Sequence, residues 1–190
     1  NIVRAADAAG ITPIVRVREN QQVEILQNLD LGYAGVQVPN VDTPEQARNL
    51  VSYVKYTPLG VRGLSPSVRA CDYGTCGVQE YIDTANANTM IVSHCETKTC
   101  VENLDEVLKV DGIDVIFIGP MDLPQSYGVP GKTTDPEVKA AIDTITAKTL
   151  AASAEAAKAL MAKGVQYILL SSDEGIIVKW GKETISRIRG

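Results

Sequence analysis

The sequence has no basic block, and its formal net charge is −5. Nucleic acid is therefore a poor candidate partner. No apolar run approaches the roughly 20 residues of a membrane-spanning helix, and no signal peptide is visible. The expectation is a cytoplasmic protein without a membrane partner. No C-x-x-C pair is present. The four cysteines form two pairs, Cys71 with Cys76 and Cys95 with Cys100, each with four residues between its members. That spacing argues against zinc or redox chemistry and for four free, semi-buried thiols in a reducing compartment. Gly-rich phosphate loops of the G-x-G-x-x-G or G-x-x-x-x-G-K type are also missing, which argues against a nucleotide-binding Rossmann domain. The chain begins with Asn1 rather than Met, as expected of a processed or truncated start.

What is present is a core-forming chain. Hydrophobic residues make up 45 % of 190 residues, enough for a single domain spanning 1–190. Short apolar runs read as strands at Ile11–Val17, Tyr33–Val38, Met90–Cys95, Asp114–Gly119 and Val165–Leu170. Helical periodicity lies between them. Val23, Leu26 and Leu29 mark one helix, ended by Gly32. Thr43-Pro44-Glu45-Gln46 reads as a capped helix start, with Thr43 and Gln46 as a capping box. Ala47, Leu50, Val51 and Val54 form its apolar stripe. Thr57 to about Gly77 is irregular, and loops this long inside compact domains are usually functional. Further helices are marked by Val101, Leu104, Val107 and Leu108, and by Val138, Ala141, Ile142 and Ile145. Ser153 reads as the cap of another, and a last one carries Ile177, Trp180 and Ile188. Repeated strand-then-helix implies a parallel sheet, either an open doubly wound sheet or a closed barrel.

Active sites in both architectures lie at the C-terminal ends of the strands. Three of these ends carry charge: Arg16 in Ile14-Val15-Arg16, Glu96 after Met90–Cys95, and Asp122 after Ile118-Gly119-Pro120-Met121. Two carboxylates at one edge suit a hard divalent cation, and an arginine beside them suits an anionic substrate or an enolate oxygen. A structural ion-pair cluster of Arg16 with Glu96 or Asp122 explains the same pattern. His94, the only histidine, shares a strand face with Glu96 by alternation, with Cys95 on the other. It reads either as a packed, hydrogen-bonded histidine or as a proton carrier near the site. Gly119-Pro120 makes a tight turn whose N–H groups could cradle a carboxylate.

The segments Pro13-Ile14-Val15-Arg16, Val38-Pro39, Lys55-Tyr56-Thr57-Pro58-Leu59-Gly60-Val61-Arg62-Gly63, Glu96-Thr97, Glu102-Asn103-Leu104 and Gly112-Ile113-Asp114 add a further signal. Phe117-Ile118-Gly119-Pro120-Met121-Asp122-Leu123, with Ser126 and Gly128, is the most specific. In this order and spacing they resemble the HpcH/HpaI aldolase/citrate lyase superfamily of class II pyruvate-dependent aldolases. The resemblance implies a (β/α)8 TIM-type barrel in a homo-oligomer built on dimers, up to a hexamer. It implies Mg²⁺, Mn²⁺ or Co²⁺ held by Glu96 and Asp122, and Arg16 on the keto oxygen of a small 2-oxo-acid substrate. Gly119, Pro120, Met121 and Asp122 would line the substrate. The activity implied is cleavage of a 4-hydroxy-2-oxo acid to pyruvate and an aldehyde through an enolate. A non-catalytic barrel remnant and a lyase of acyl-CoA or phosphonate substrates are the rival expectations.

Two departures accompany the resemblance. The family's catalytic histidine precedes Asn1, and His94 stands where the family often has Gln. Between Gly119 and Val165 two helices and no strand are readable. The barrel is therefore expected to be incomplete, lacking N-terminal strands and one late strand near 149–153.

Overall fold

The computed structural model describes residues 1–162, with side chains to residue 149. Asn1–Ala152 forms one compact unit and the chain from Ser153 a second; the candidate site lies in the first. The expected strand at 165–170 and the expected helix around Trp180 fall outside the described residues.

Elements follow in the order α1 (Ile2–Ala8), β1 (Ile14–Arg16), α2 (Gln22–Asp30), β2 (Gly35–Val38), α3 (Pro44–Val54), a 3-10 turn (Arg69–Gly74), α4 (Val78–Asn88), β3 (Met90–Cys95), α5 (Lys98–Val107), β4 (Val115–Ile118), α6 (Asp122–Ser126) and α7 (Pro136–Ala162). The four strands form one sheet in the order β1-β2-β3-β4. Every pair is parallel: Arg16 faces Gln37, Gln37 faces Val92, and His94 faces Phe117. A doubly wound sheet reverses its strand order. This one advances in a single direction, as a barrel wall does.

Alternation along the strands divides the sheet into two unlike faces. Val15, Val36, Val38, Ile91 and Ile116 pack with Ile25, Leu29, Ala47, Leu50, Val54 and Val107 of the helices in one core. Cys95 and Ile118 join Cys100, Leu104, Leu123, Val138, Ala141 and Ile145 in a second. The opposite face carries Arg16, Gln37, His94 and Phe117, and Glu96 continues its alternation beyond β3.

Local chemistry explains the elements. Thr43 and Gln46 form the expected capping box, with Pro44 opening α3. Thr97 caps α5 by accepting from the Cys100 N–H. α2 forms where Val23, Leu26 and Leu29 mark it: Leu29 is buried and Leu26 half-buried, while Val23 is 64 % exposed and Ile25 completes the inward face. No helix begins at Ser153: α7 runs unbroken through it, across an alanine-rich stretch without Gly or Pro to stop it. Among the described residues α6 and α7 and no strand lie between Gly119 and Ala162.

The cysteine expectation needs correcting. Cys71 and Cys76 are joined as a disulfide, while Cys95 and Cys100 are free and buried. Asp72 and Tyr73 take left-handed conformations (φ 47° and 54°) and fold the chain back, bringing the two Cα atoms to 5.7 Å.

Candidate active site

β3 delivers Glu96 to the C-terminal edge of the sheet, where it is 3 % exposed. A carboxylate so deep needs partners. Oε1 accepts the Asn40 N–H at 3.0 Å, and Oε2 lies 3.2 Å from His94 Nδ1. Burial pushes the Glu96 carboxyl up. The hydrogen bond and charge of His94, the Asn40 N–H and the charge of Arg16 outweigh it and hold the group below the ordinary carboxylate value.

The loop after β2 supplies Asn40 in a left-handed conformation, φ 53°, which asparagine tolerates better than most residues. The loop after β2 is tied to α5 and its capping residue at two more points. The Thr97 hydroxyl donates to Asp42 Oδ1, and Asn103 Nδ2 donates to the Asp42 carbonyl at 3.0 Å. Glu96 thus projects from a braced corner. Asn40 and Asp42 were not singled out in the sequence, because backbone donors and bonds between distant segments leave no pattern in spacing, and Asn103 stood only within the Glu102-Asn103-Leu104 motif of the resemblance, with no role attached to it. The one available signal was an asparagine directly after a strand-ending proline.

The turn after β4 abuts Glu96 from the other side. A Cβ built on Gly119 would lie 2.6 Å from both Cβ and Oε2 of Glu96, so only glycine leaves the carboxylate where it is. Pro120, Met121 and Asp122 follow at the surface, and Asp122 opens α6. Arg16, last residue of β1, is exposed. Among the described residues it forms no ion pair with Glu96 or Asp122, although its charge is felt at Glu96. The ion-pair cluster expected as an alternative is not formed.

Among the described residues no three of His, Cys, Asp and Glu converge as metal ligands. That rules out a protein-enclosed cage there, but not a Mg²⁺-type site, which takes one or two carboxylates and completes its shell with water and substrate oxygens. The buried, ionised Glu96 and the exposed Asp122 suit such a site by donor chemistry.

The long 57–77 stretch lies elsewhere. Arg62 pairs with Asp30 at 3.0 Å and sits 4.5 Å over the Tyr56 ring, and Lys55 Nζ donates to the Asn86 and Thr89 carbonyls. Asp30 and Thr89 precede β2 and β3, so these contacts mark the N-terminal edge. A cavity of about 620 Å³ lined by Arg4, Asp30, Tyr33 and Arg69 opens there too, and no candidate site residue lines it. Gly60 is needed in this loop for packing, since a Cβ would meet the Ser52 and Lys55 carbonyls at 2.4 Å.

The sequence profile of the HpcH/HpaI aldolase/citrate lyase family matches residues 1–185. The chain belongs to this family. It is 40 % identical over 140 residues to the hydroxypyruvate/pyruvate aldolase of Sagittula stellata, covering 74 % of this chain and 54 % of that protein. It is 33 % identical to the 2-dehydro-3,6-dideoxy-6-sulfogluconate aldolase of Pseudomonas putida over all of this chain and 77 % of that one. A crystal structure of an HpcH/HpaI aldolase/citrate lyase family protein from Burkholderia cenocepacia superposes with a TM-score of 0.84 at 26 % identity, over 99 % of this chain and 78 % of that one. The chain spans about half the length of the first curated relative. No described helix is long and apolar enough to cross a membrane.

Proposed function

We propose that this HpcH/HpaI family chain is a divalent-metal-dependent aldolase that cleaves a 4-hydroxy-2-oxo acid to pyruvate and an aldehyde. The observation that carries the reading is Glu96: a buried carboxylate, held ionised, at the C-terminal edge of a parallel sheet and within the field of Arg16. The sheet is read as part of a (β/α)8 barrel wall, which the one-directional strand order supports. The substrate class is supported by the names of the relatives, aldolases of pyruvate, hydroxypyruvate and a sulfo-sugar acid.

Glu96 and Asp122 would hold the cation, and the chemistry it supplies is Lewis-acid polarisation of the 2-oxo acid. Glu96 enters that role deprotonated and oriented by Asn40 and His94. Arg16, exposed at the end of the neighbouring strand, is free to donate to the keto oxygen. A base takes the C4 hydroxyl proton, and the C3–C4 electron pair moves onto C3 and the keto oxygen while C4 leaves as the aldehyde. The guanidinium of Arg16 stabilises the enolate charge so formed, and protonation at C3 completes pyruvate. Gly119, Pro120 and Met121 line the substrate beside Asp122. The working protein is read as a dimer-based homo-oligomer.

The test is release of pyruvate from a 4-hydroxy-2-oxo acid, followed by a lactate dehydrogenase couple with Mn²⁺ or Mg²⁺ and with chelator. Cation-dependent release that is lost in Glu96→Gln supports the reading. Metal-independent release, or none with any cation, contradicts it, and the latter favours the non-catalytic remnant.

A further inference from the structure

His94 is 3 % exposed and its ring stacks at 4.4 Å on Phe117, its register partner on β4. The ring is therefore fixed. Its Nδ1 lies 3.2 Å from Glu96 Oε2. An ionised carboxylate only accepts, so Nδ1 carries the hydrogen. The other nitrogen, Nε2, is buried with no partner among the described residues. Buried polar atoms are nearly always satisfied, so an orphan marks a place where something else belongs. Packing alone explains neither the bond to Glu96 nor the orphan.

Glu96 has two oxygens and two anchors. Asn40 fixes Oε1 through its backbone N–H, a donor that does not come from its side chain, and His94 fixes Oε2. Each oxygen keeps a lone pair for a ligand. Without His94 the carboxylate could swing about the Asn40 bond, because the facing Gly119 carries no side chain to stop it.

We propose that His94 is a positioning residue: its Nδ1–H locks the Glu96 carboxylate in the orientation that binds a divalent cation. This rests on the reading of Glu96 as a metal ligand. The hydrogen bond, not the aromatic ring, is the active feature, so two variants separate them. His94→Gln keeps an N–H for Glu96 and loses the ring. His94→Phe keeps the ring contact with Phe117 and loses the N–H.

The experiment is direct Mn²⁺ binding to the substrate-free protein, read from the electron paramagnetic resonance of free Mn²⁺, for wild type, E96Q, H94Q and H94F, with thermal melting of each. The expected result is that H94F binds about 10–100-fold more weakly, the usual cost of losing a group that orients a ligand. H94Q stays within a few-fold of wild type. H94F binding like wild type overturns the proposal, as does H94Q falling as far as H94F while melting normally. Wild type failing to bind Mn²⁺, or E96Q binding it equally well, overturns the reading of Glu96 instead. If H94F melts early, H94L, which also lacks the N–H, takes its place; if H94Q melts early, H94N, which keeps an N–H, takes its place.

Discussion

The backbone N–H of Asn40 reaches the Glu96 carboxylate at 3.0 Å, across 56 positions of sequence. This bond requires the left-handed turn at Asn40, so the position has a conformational preference testable apart from side-chain chemistry. Asn40→Gly should keep both stability and metal affinity. Asn40→Val should cost about 1–2 kcal/mol from the left-handed backbone and weaken metal binding in parallel. Melting and Mn²⁺ titration of the two variants check this; a Val variant equal to the Gly variant would count against it.

Gly119 should be as intolerant. The methyl of Gly119→Ala would displace Glu96, and overpacking of this kind costs about 1–3 kcal/mol. Loss of metal affinity should exceed the loss of stability in proportion, because the displaced group is the carboxylate itself. Chemical denaturation and metal titration on one preparation give both numbers.

Arg16 and Asp122 are exposed, so their substitution should separate function from folding. Arg16→Gln and Asp122→Asn should each change stability by less than about 0.5 kcal/mol. Arg16→Gln should lower turnover by about 10²–10³-fold, the usual cost of removing a donor to a developing oxyanion, with metal affinity unchanged. Asp122→Asn should lower metal affinity. Equal effects of both variants on metal binding would contradict the division of roles.

Glu96 also sets a pH dependence. Its folded-state carboxyl lies below the ordinary value, so the unfolded chain binds its proton more readily than the folded one. Its contribution to stability is complete above the ordinary carboxylate value, near 4.3, and is lost as pH falls through the lower folded value. The stability advantage of wild type over Glu96→Gln should therefore be present at neutral pH and shrink only on acidification below about 4.3. Melting curves across that range test the sign; an advantage that grew on acidification would refute it.

Legibility in the sequence followed the strength of each physical signal. β3 was read to the residue, because a run opening on Met90-Ile91-Val92 ends in the charge of Glu96, and the α3 start was read from its cap. Strand alternation put His94 and Glu96 on one face, as observed. α4 was missed: Val78, Tyr81, Ile82 and Ala85 recur at helical spacing, but the stripe is short and none of its residues is fully buried. The 57–77 loop was expected to be functional by length alone; Arg62 within it, with Lys55 and Tyr56 just before it, makes contacts at the opposite edge of the sheet. The Asn40 anchor and the steric role of Gly119 depend on loops meeting across the sheet, which spacing along the chain does not encode.

The central claim is that Glu96, Asp122 and Arg16 form one enolising site on a cation. Exchange of the pyruvate methyl protons in D₂O, followed by proton NMR, tests it without reference to the aldehyde partner. The account predicts exchange that requires Mn²⁺ or Mg²⁺, stops with chelator, and is lost in Glu96→Gln and sharply reduced in Arg16→Gln. Exchange that persists with chelator present, or that proceeds equally in Glu96→Gln, would contradict it.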